Sequence, residues 1–170
     1  MKRFLFLATF AALLAGCAQY SWKSAVPAEM RLVAVPVFRN ATDLTEAGPV
    51  VTRQVKREFQ REGTFRLAES GAALEVQGEL VSAGAADVNG DLRTGRRLHG
   101  GELVLVAKVS VIDKLRGRVL IDGRRFTGSA PFSAVDDNTT AMRDACGRAA
   151  DDLARGLVDA VLALDFKTEK

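Results

Sequence analysis

Between residues 31 and 38 the chain reads Arg-Leu-Val-Ala-Val-Pro-Val-Phe, apolar on both faces until Pro36. Such a run predicts a strand buried on both sides and ending near the proline, which has no N–H to give a ladder. Asn40 to Gly48 is polar and reads as a connection. From Pro49 to Glu62 the period turns helical: Val51, Val55 and Phe59 fall four apart, with Arg53, Lys56, Arg57 and Gln60 on the opposite face. Pro49 suits a first helical turn and Gly63 ends the segment. Thr64 to Leu67 is a short strand candidate. Leu74, Val76, Gly78 and Leu80 then alternate with Glu75, Gln77 and Glu79, the pattern of a strand with one wet face. Residues 83–101 hold five glycines and predict a loop or an extended hairpin connection. Leu103, Leu105, Ala107, Val109 and Val111 make a long alternating strand, Leu115 to Arg118 a turn, and Val119 to Gly128 the returning partner. Last, Asp137 or Asn138 caps a helix running to about Leu164. Its apolar stripe is Ala141, Ala145, Ala149, Leu153, Leu157, Val161 and Leu164.

The order strand, helix, three or four strands, helix predicts an α+β fold. The expected form is a two-layer sandwich: a mostly antiparallel sheet of four or five strands with two amphipathic helices on one face. The other face of the hairpin carries Val104, Val106 and Ile112 beside Lys108 and Ser110. That is less polar than a fully solvated face and suits partial cover by a partner. No internal repeat or low-complexity segment is present.

Composition narrows the function classes. The chain has 170 residues, enough for one domain, and 48% hydrophobic against 26% charged residues marks a folded chain rather than a disordered one. A formal charge of +3 is too balanced for nucleic-acid binding by bulk charge. One histidine and two cysteines leave little material for a metal site or a His-dependent mechanism. Those counts argue against a hydrolase and against a zinc protein, and no cofactor motif is present.

The N-terminus reads as an export signal. Lys2 and Arg3 precede an apolar run from Phe4 to Leu14, too short to span a bilayer, which ends in Leu14-Ala15-Gly16-Cys17. A cysteine directly after small residues resembles the bacterial lipoprotein signal, in which the thiol is lipidated and becomes the new N-terminus. The alternative is an ordinary signal peptide with an incidental cysteine. On the lipoprotein reading, residues 1–16 are the signal and residues 17–30 the lipidated tether. Residues 31–166 form one α+β domain, held at a membrane through Cys17. Ala18 stands where, by resemblance to the bacterial sorting rule, an aspartate would retain the protein at the inner membrane. The expected location is therefore the outer membrane, lipid-anchored on the periplasmic side. With Cys17 consumed, Cys146 is unpaired and a disulfide fold is excluded.

Candidate chemistry is sparse. His99 sits in a Gly-rich loop without a nucleophile motif nearby and reads as a surface residue. Cys146, one position off the helix stripe, reads as a buried thiol. Asp136-Asp137 suits helix capping and Asp151-Asp152 a solvated helix face, and neither closes a metal site. The basic clusters stand out more. Arg93, Arg96 and Arg97 share one loop, while Lys114, Arg116 and Arg118 share the hairpin turn. Converging guanidiniums match phosphate geometry and can grip a multiply phosphorylated ligand; the alternative is ordinary solvated loop charge.

Three features together resemble the lipopolysaccharide-assembly lipoproteins (LptE-like) of the bacterial outer membrane. The first is a lipidated cysteine followed closely by an aromatic, Cys17-Ala-Gln-Tyr20. The second is the strand Val33-Ala-Val-Pro-Val-Phe-Arg-Asn40, with Thr42 after it. The third is the helix ending Glu62-Gly63-Thr-Phe65, followed by Ala72-Ala73-Leu74-Glu75-Val76-Gln77-Gly78. Ala73 departs from the aspartate common in that passage, and the C-terminal helix lacks the usual tyrosine-containing entry. The resemblance implies a non-enzymatic role: a plug in a large β-barrel translocon that assists barrel assembly and contacts lipopolysaccharide in transit. The expected partners are that barrel, lipopolysaccharide and the membrane. The expected ligand contacts are Lys114, Arg116 and Arg118 first, and Arg93, Arg96 and Arg97 second. Two other classes stay open: a lipid-anchored activator of a cell-wall synthase, and an enzyme of unrecognised type.

Overall fold

A computed structural model describes residues 26–87, 100–133 and 138–166. Its strands are β1 (Leu32–Ala34), β2 (Arg39–Asn40), β3 (Arg66–Leu67), β4 (Leu74–Asp87), β5 (Gly100–Asp113) and β6 (Arg118–Ser133). Helix α1 spans Ala47–Glu62 and helix α2 spans Asn138–Leu162, within two residues of the expected bounds at each end. A short 3-10 turn, Ala28–Met30, precedes β1. Cys17, Arg93, Arg96, Arg97, His99, Asp136 and Asp137 lie outside the described residues.

The fold is α+β, as the element order predicts, but the sheet is mixed. Its order is β3-β1-β4-β5-β6, with β2 pairing β4 beyond the end of β1. The β4–β5 and β5–β6 ladders are antiparallel, whereas β1 with β3, β1 with β4 and β2 with β4 are parallel. The parallel pairs follow from the helical crossover: α1 returns the chain to the end where β1 began, so β3 leaves in the same direction as β1. Of the expected strand 31–38 only Leu32–Ala34 pairs, as β1; the ladder stops ahead of Pro36, which has no N–H to give, and pairing resumes beyond the expected end, as β2. The glycine- and alanine-rich stretch after Ser82 is not a loop at its ends, since β4 continues to Asp87 and β5 begins at Gly100.

One hydrophobic cluster lies between the sheet and both helices. From β5 it takes Leu103, Leu105, Ala107, Val109 and Val111, and from β4 Leu74, Val76 and Leu80. Helix α1 adds Val51, Val55 and Phe59; α2 adds Ala145, Ala149, Leu153, Leu157 and Val161. Val26 and Met30, ahead of β1, are also buried in it. Phe59 and Phe65 meet edge to face, 5.3 Å between centroids, as the chain leaves α1 past Gly63.

Two close approaches set the layer spacing. Phe38 packs its ring against Gly78 of β4, where any Cβ would strike it. The Phe38 amide donates to the Thr52 hydroxyl at 2.9 Å, and that hydroxyl donates to the Gly48 carbonyl at 2.8 Å. Asn40 then shapes the connection: its Oδ1 accepts from the Thr42 amide and hydroxyl, and its Nδ2 donates to the Leu44 carbonyl. Farther along, α2 crosses β6 at Gly128, where a Cβ would collide with the Ala149 carbonyl and the Leu153 amide. Beside that seam Asp152 accepts from the Ser129 amide, and Arg148 donates to the Pro131 carbonyl at 2.6 Å.

Among the described residues no helix lies on the opposite face. Its row at the turn end runs from Glu75 through Ile112 to Val119, and farther along lie Val104 and Val106, opposite Ser129 and Thr127. Val104, Val106 and Ile112 are half-buried, and Val119 is 56% exposed.

Candidate functional site

The β5–β6 turn brings the first predicted cation cluster together beside a buried acid, Asp113. Asp113 continues the inner-face alternation two positions after Val111, and its side chain is 0% exposed. A carboxylate in that position needs donors on every side, and the next five residues supply them. Its Oδ1 accepts from the amides of Leu115 and Arg116 at 3.1 and 3.0 Å. Its Oδ2 accepts from Arg116 Nη1 at 3.3 Å and Arg118 Nε at 3.2 Å. Burial drives the Asp113 pKa upward, but the Arg116 amide and the two guanidiniums outweigh it and hold the carboxyl below its ordinary range.

The remaining charges are matched as well. Lys114 Nζ donates to Glu75 Oε2 at 2.8 Å, and its side chain is 54% exposed. Hydrogen bonds from Gln77 and then from Lys114 hold the Glu75 carboxyl below its ordinary value, against its partial burial. Arg116 also reaches back to the segment before β1, with Nη1 3.3 Å from the Met30 sulfur and Nη2 4.0 Å from Glu29 Oε1. Arg118 Nη2 is buried and meets no acceptor. The turn therefore carries three cations, each facing a carboxylate. Leu115 stands at its tip, 59% exposed, with Lys114 and Arg116 on either side.

Elsewhere the predicted bland roles are visible in the geometry. Cys146 is buried; burial pushes its thiol up, Glu46 adds to that and Arg53 opposes it. Asp151 pairs with Arg155 one helical turn on, and Asp152 holds the Ser129 amide. Arg124 lies over the Phe126 ring at 5.2 Å. Among the described residues no three His, Cys, Asp or Glu side chains converge as a metal site. Among them, too, no helix is long and apolar enough to cross a membrane.

Comparison with known proteins places this architecture. The lipopolysaccharide-assembly family matches residues 30–161, and a prokaryotic membrane lipoprotein lipid attachment site matches residues 1–18. No curated protein matches the chain. Among solved structures, a putative lipoprotein from Caulobacter crescentus superposes with a TM-score of 0.53 at 15% identity, over 79% of this chain and 89% of that one. A protein from Xanthomonas campestris gives 0.54 at 18% identity, over 81% and 88%. A minor lipoprotein from Acinetobacter baumannii gives 0.52 at 14%, over 82% and 98%. At those identities the likeness is one of fold.

Proposed function

Since this chain belongs to the lipopolysaccharide-assembly family and carries a lipoprotein attachment site, we propose that it is an outer-membrane lipoprotein that plugs the β-barrel lipopolysaccharide translocon. In that reading it helps the barrel assemble and touches lipopolysaccharide on its way to the cell surface. Cys17 carries the lipid, and Ala18 after it favours the outer membrane. The observation that supports the plug role is the sheet face on which, among the described residues, no helix packs. Val104, Val106, Ile112 and Val119 give it aliphatic surface to lie against a barrel wall, while the other face is occupied by α1 and α2.

Lys114, Arg116 and Arg118 are the proposed contacts for lipid A phosphates, with Arg93, Arg96 and Arg97 as a second group. Lys114 is exposed and uses one of its three donors on Glu75, whereas Arg116 and Arg118 are tied to Asp113. Reversing Arg116 or Arg118 would strand the buried carboxylate, so a loss of binding there would report a damaged turn. Lys114→Glu leaves Asp113 intact and is the cleaner probe of ligand contact.

The experiment that tests the main reading is affinity capture of the tagged full-length lipoprotein from detergent-solubilised outer membranes, with mass spectrometry of its partners. A stoichiometric large β-barrel protein is expected. A cell-wall synthase with no barrel would replace this reading with that of an enzyme activator.

A further inference from the structure

Residues 26–30, where the expected tether meets the domain, and the β5–β6 turn belong to the same end of the molecule. Val26 is buried, its carbonyl accepts from Arg31 Nε at 3.3 Å, and Met30 and Glu29 meet Arg116 of the turn. Cys17 stands nine residues before Val26, so the anchored cysteine lies within about 30 Å of it even with the chain fully extended. Strand β5 alone has 14 residues. At about 3.4 Å per residue its ladder is roughly 45 Å long, more than the tether can span. A molecule anchored at Cys17 therefore cannot stand upright with its Gly100 end on the bilayer and its turn end away from it.

The turn end presents a surface suited to shallow insertion. Leu115 is 59% exposed at the tip, in the turn and off the sheet face assigned to the barrel wall. The tip is stiff, because the amides of Leu115 and Arg116 are both fixed on the Asp113 carboxylate, so little ordering cost accompanies insertion. Its cations are already matched by Asp113, Glu75 and Glu29. A turn with its charges paired enters a low-dielectric boundary at less cost than one with free charges. The stem of Lys114, 54% exposed, can lie along the boundary with its head towards water.

We infer that the β5–β6 turn is a membrane-contact device: Leu115 enters the boundary of the phospholipid bilayer that holds the protein's own lipid anchor. The inference rests on the anchored reading of Cys17 and is independent of the translocon. Its driving force is aliphatic burial, so it operates on a zwitterionic phospholipid surface and needs neither anionic lipid nor lipopolysaccharide.

The test uses the full-length lipidated protein in vesicles of phosphatidylcholine alone. A polarity-sensitive fluorophore is placed at Leu115→Cys, with a second preparation labelled at Arg125→Cys, farther along β6. Cys146 is buried and is replaced by alanine in both. Flotation of the vesicles first shows that the anchor holds. The label at 115 is then expected to shift to the blue and to be quenched by spin-labelled lipid carrying its radical just below the headgroups, while the label at 125 stays water-exposed. If the protein does not float, the anchored reading fails. If it floats and the label at 115 stays in water, the membrane-contact inference fails while the anchor stands. Quenching that appears only after lipopolysaccharide or anionic lipid is added overturns the inference in favour of a phosphate contact.

Discussion

The two ends of the β5–β6 hairpin each bring polar groups close to a dry interior, and they do so by opposite means. At the turn, Asp113 carries a full charge inside and is surrounded by four donor contacts. At the α2 seam, Gly128 has no side chain, and the space it leaves is filled by the Ala149 carbonyl and Leu153 amide of the helix backbone. One region is held by satisfied charge and the other by close packing. The turn should therefore respond to pH and to loss of charge, and the seam to added volume alone.

The largest effect should come from the seam. Gly128→Val forces a branched side chain into helix backbone that cannot swing aside, and should cost about 3 kcal/mol or more, in the upper part of the overpacking range. Urea unfolding should show a fall in midpoint that is the same at pH 7 and pH 5. Asp113→Asn comes next. It keeps the shape but loses the charge and puts amide hydrogens against donors, for about 2 kcal/mol. Its deficit should shrink as pH falls, which Gly128→Val should not show; parallel pH profiles for the two variants would erase the distinction.

The sign of that pH dependence is fixed by the direction of the shifts. Both Asp113 and Glu75 are held below their ordinary values in the fold. Their contribution is fully present above the unfolded carboxyl pKa of about 4 and is lost as pH falls through the lower folded value. Acid titration of thermal stability should therefore show a drop below about pH 4 that Asp113→Asn reduces. The smallest effect belongs to Lys114. Losing its pair with Glu75 and setting a like charge there should together cost about 1 kcal/mol or less, so Lys114→Glu should shift unfolding only slightly. A weakened affinity for lipopolysaccharide in that variant would then report contact rather than damage.

Both helices and the long hairpin are legible from periodicity because each buries a whole stripe or face. The mixed sheet is not, since β2 and β3 have two residues each and too few positions to show an alternation. Val26 and Met30 lie in a stretch with no period, so their burial has no signature in sequence. Asp113 was within reach: counting on by two from Val111 puts it on the inner face. The cluster Lys-Leu-Arg-Gly-Arg draws attention to the cations instead of to the acid they surround. Gly128 was out of reach, because its need for no side chain comes from a helix that follows it in the chain. The resemblance at Val33 to Asn40 has a physical content that the sequence did not disclose: Phe38 packs on Gly78, and Asn40 shapes the loop into α1.

The parallel pairing of the first strands bears on the order in which the protein assembles. Leu103 to Val111 find their partners across a four-residue turn, a contact that closes quickly. Val33 has to wait for Leu74, and Arg39 for Glu79. The segment that leads the chain is thus locked in after its centre. Pulse-labelled hydrogen exchange during refolding should protect the Val109 and Val111 amides before that of Val33. In such a molecule the part nearest the anchor is the last to become native.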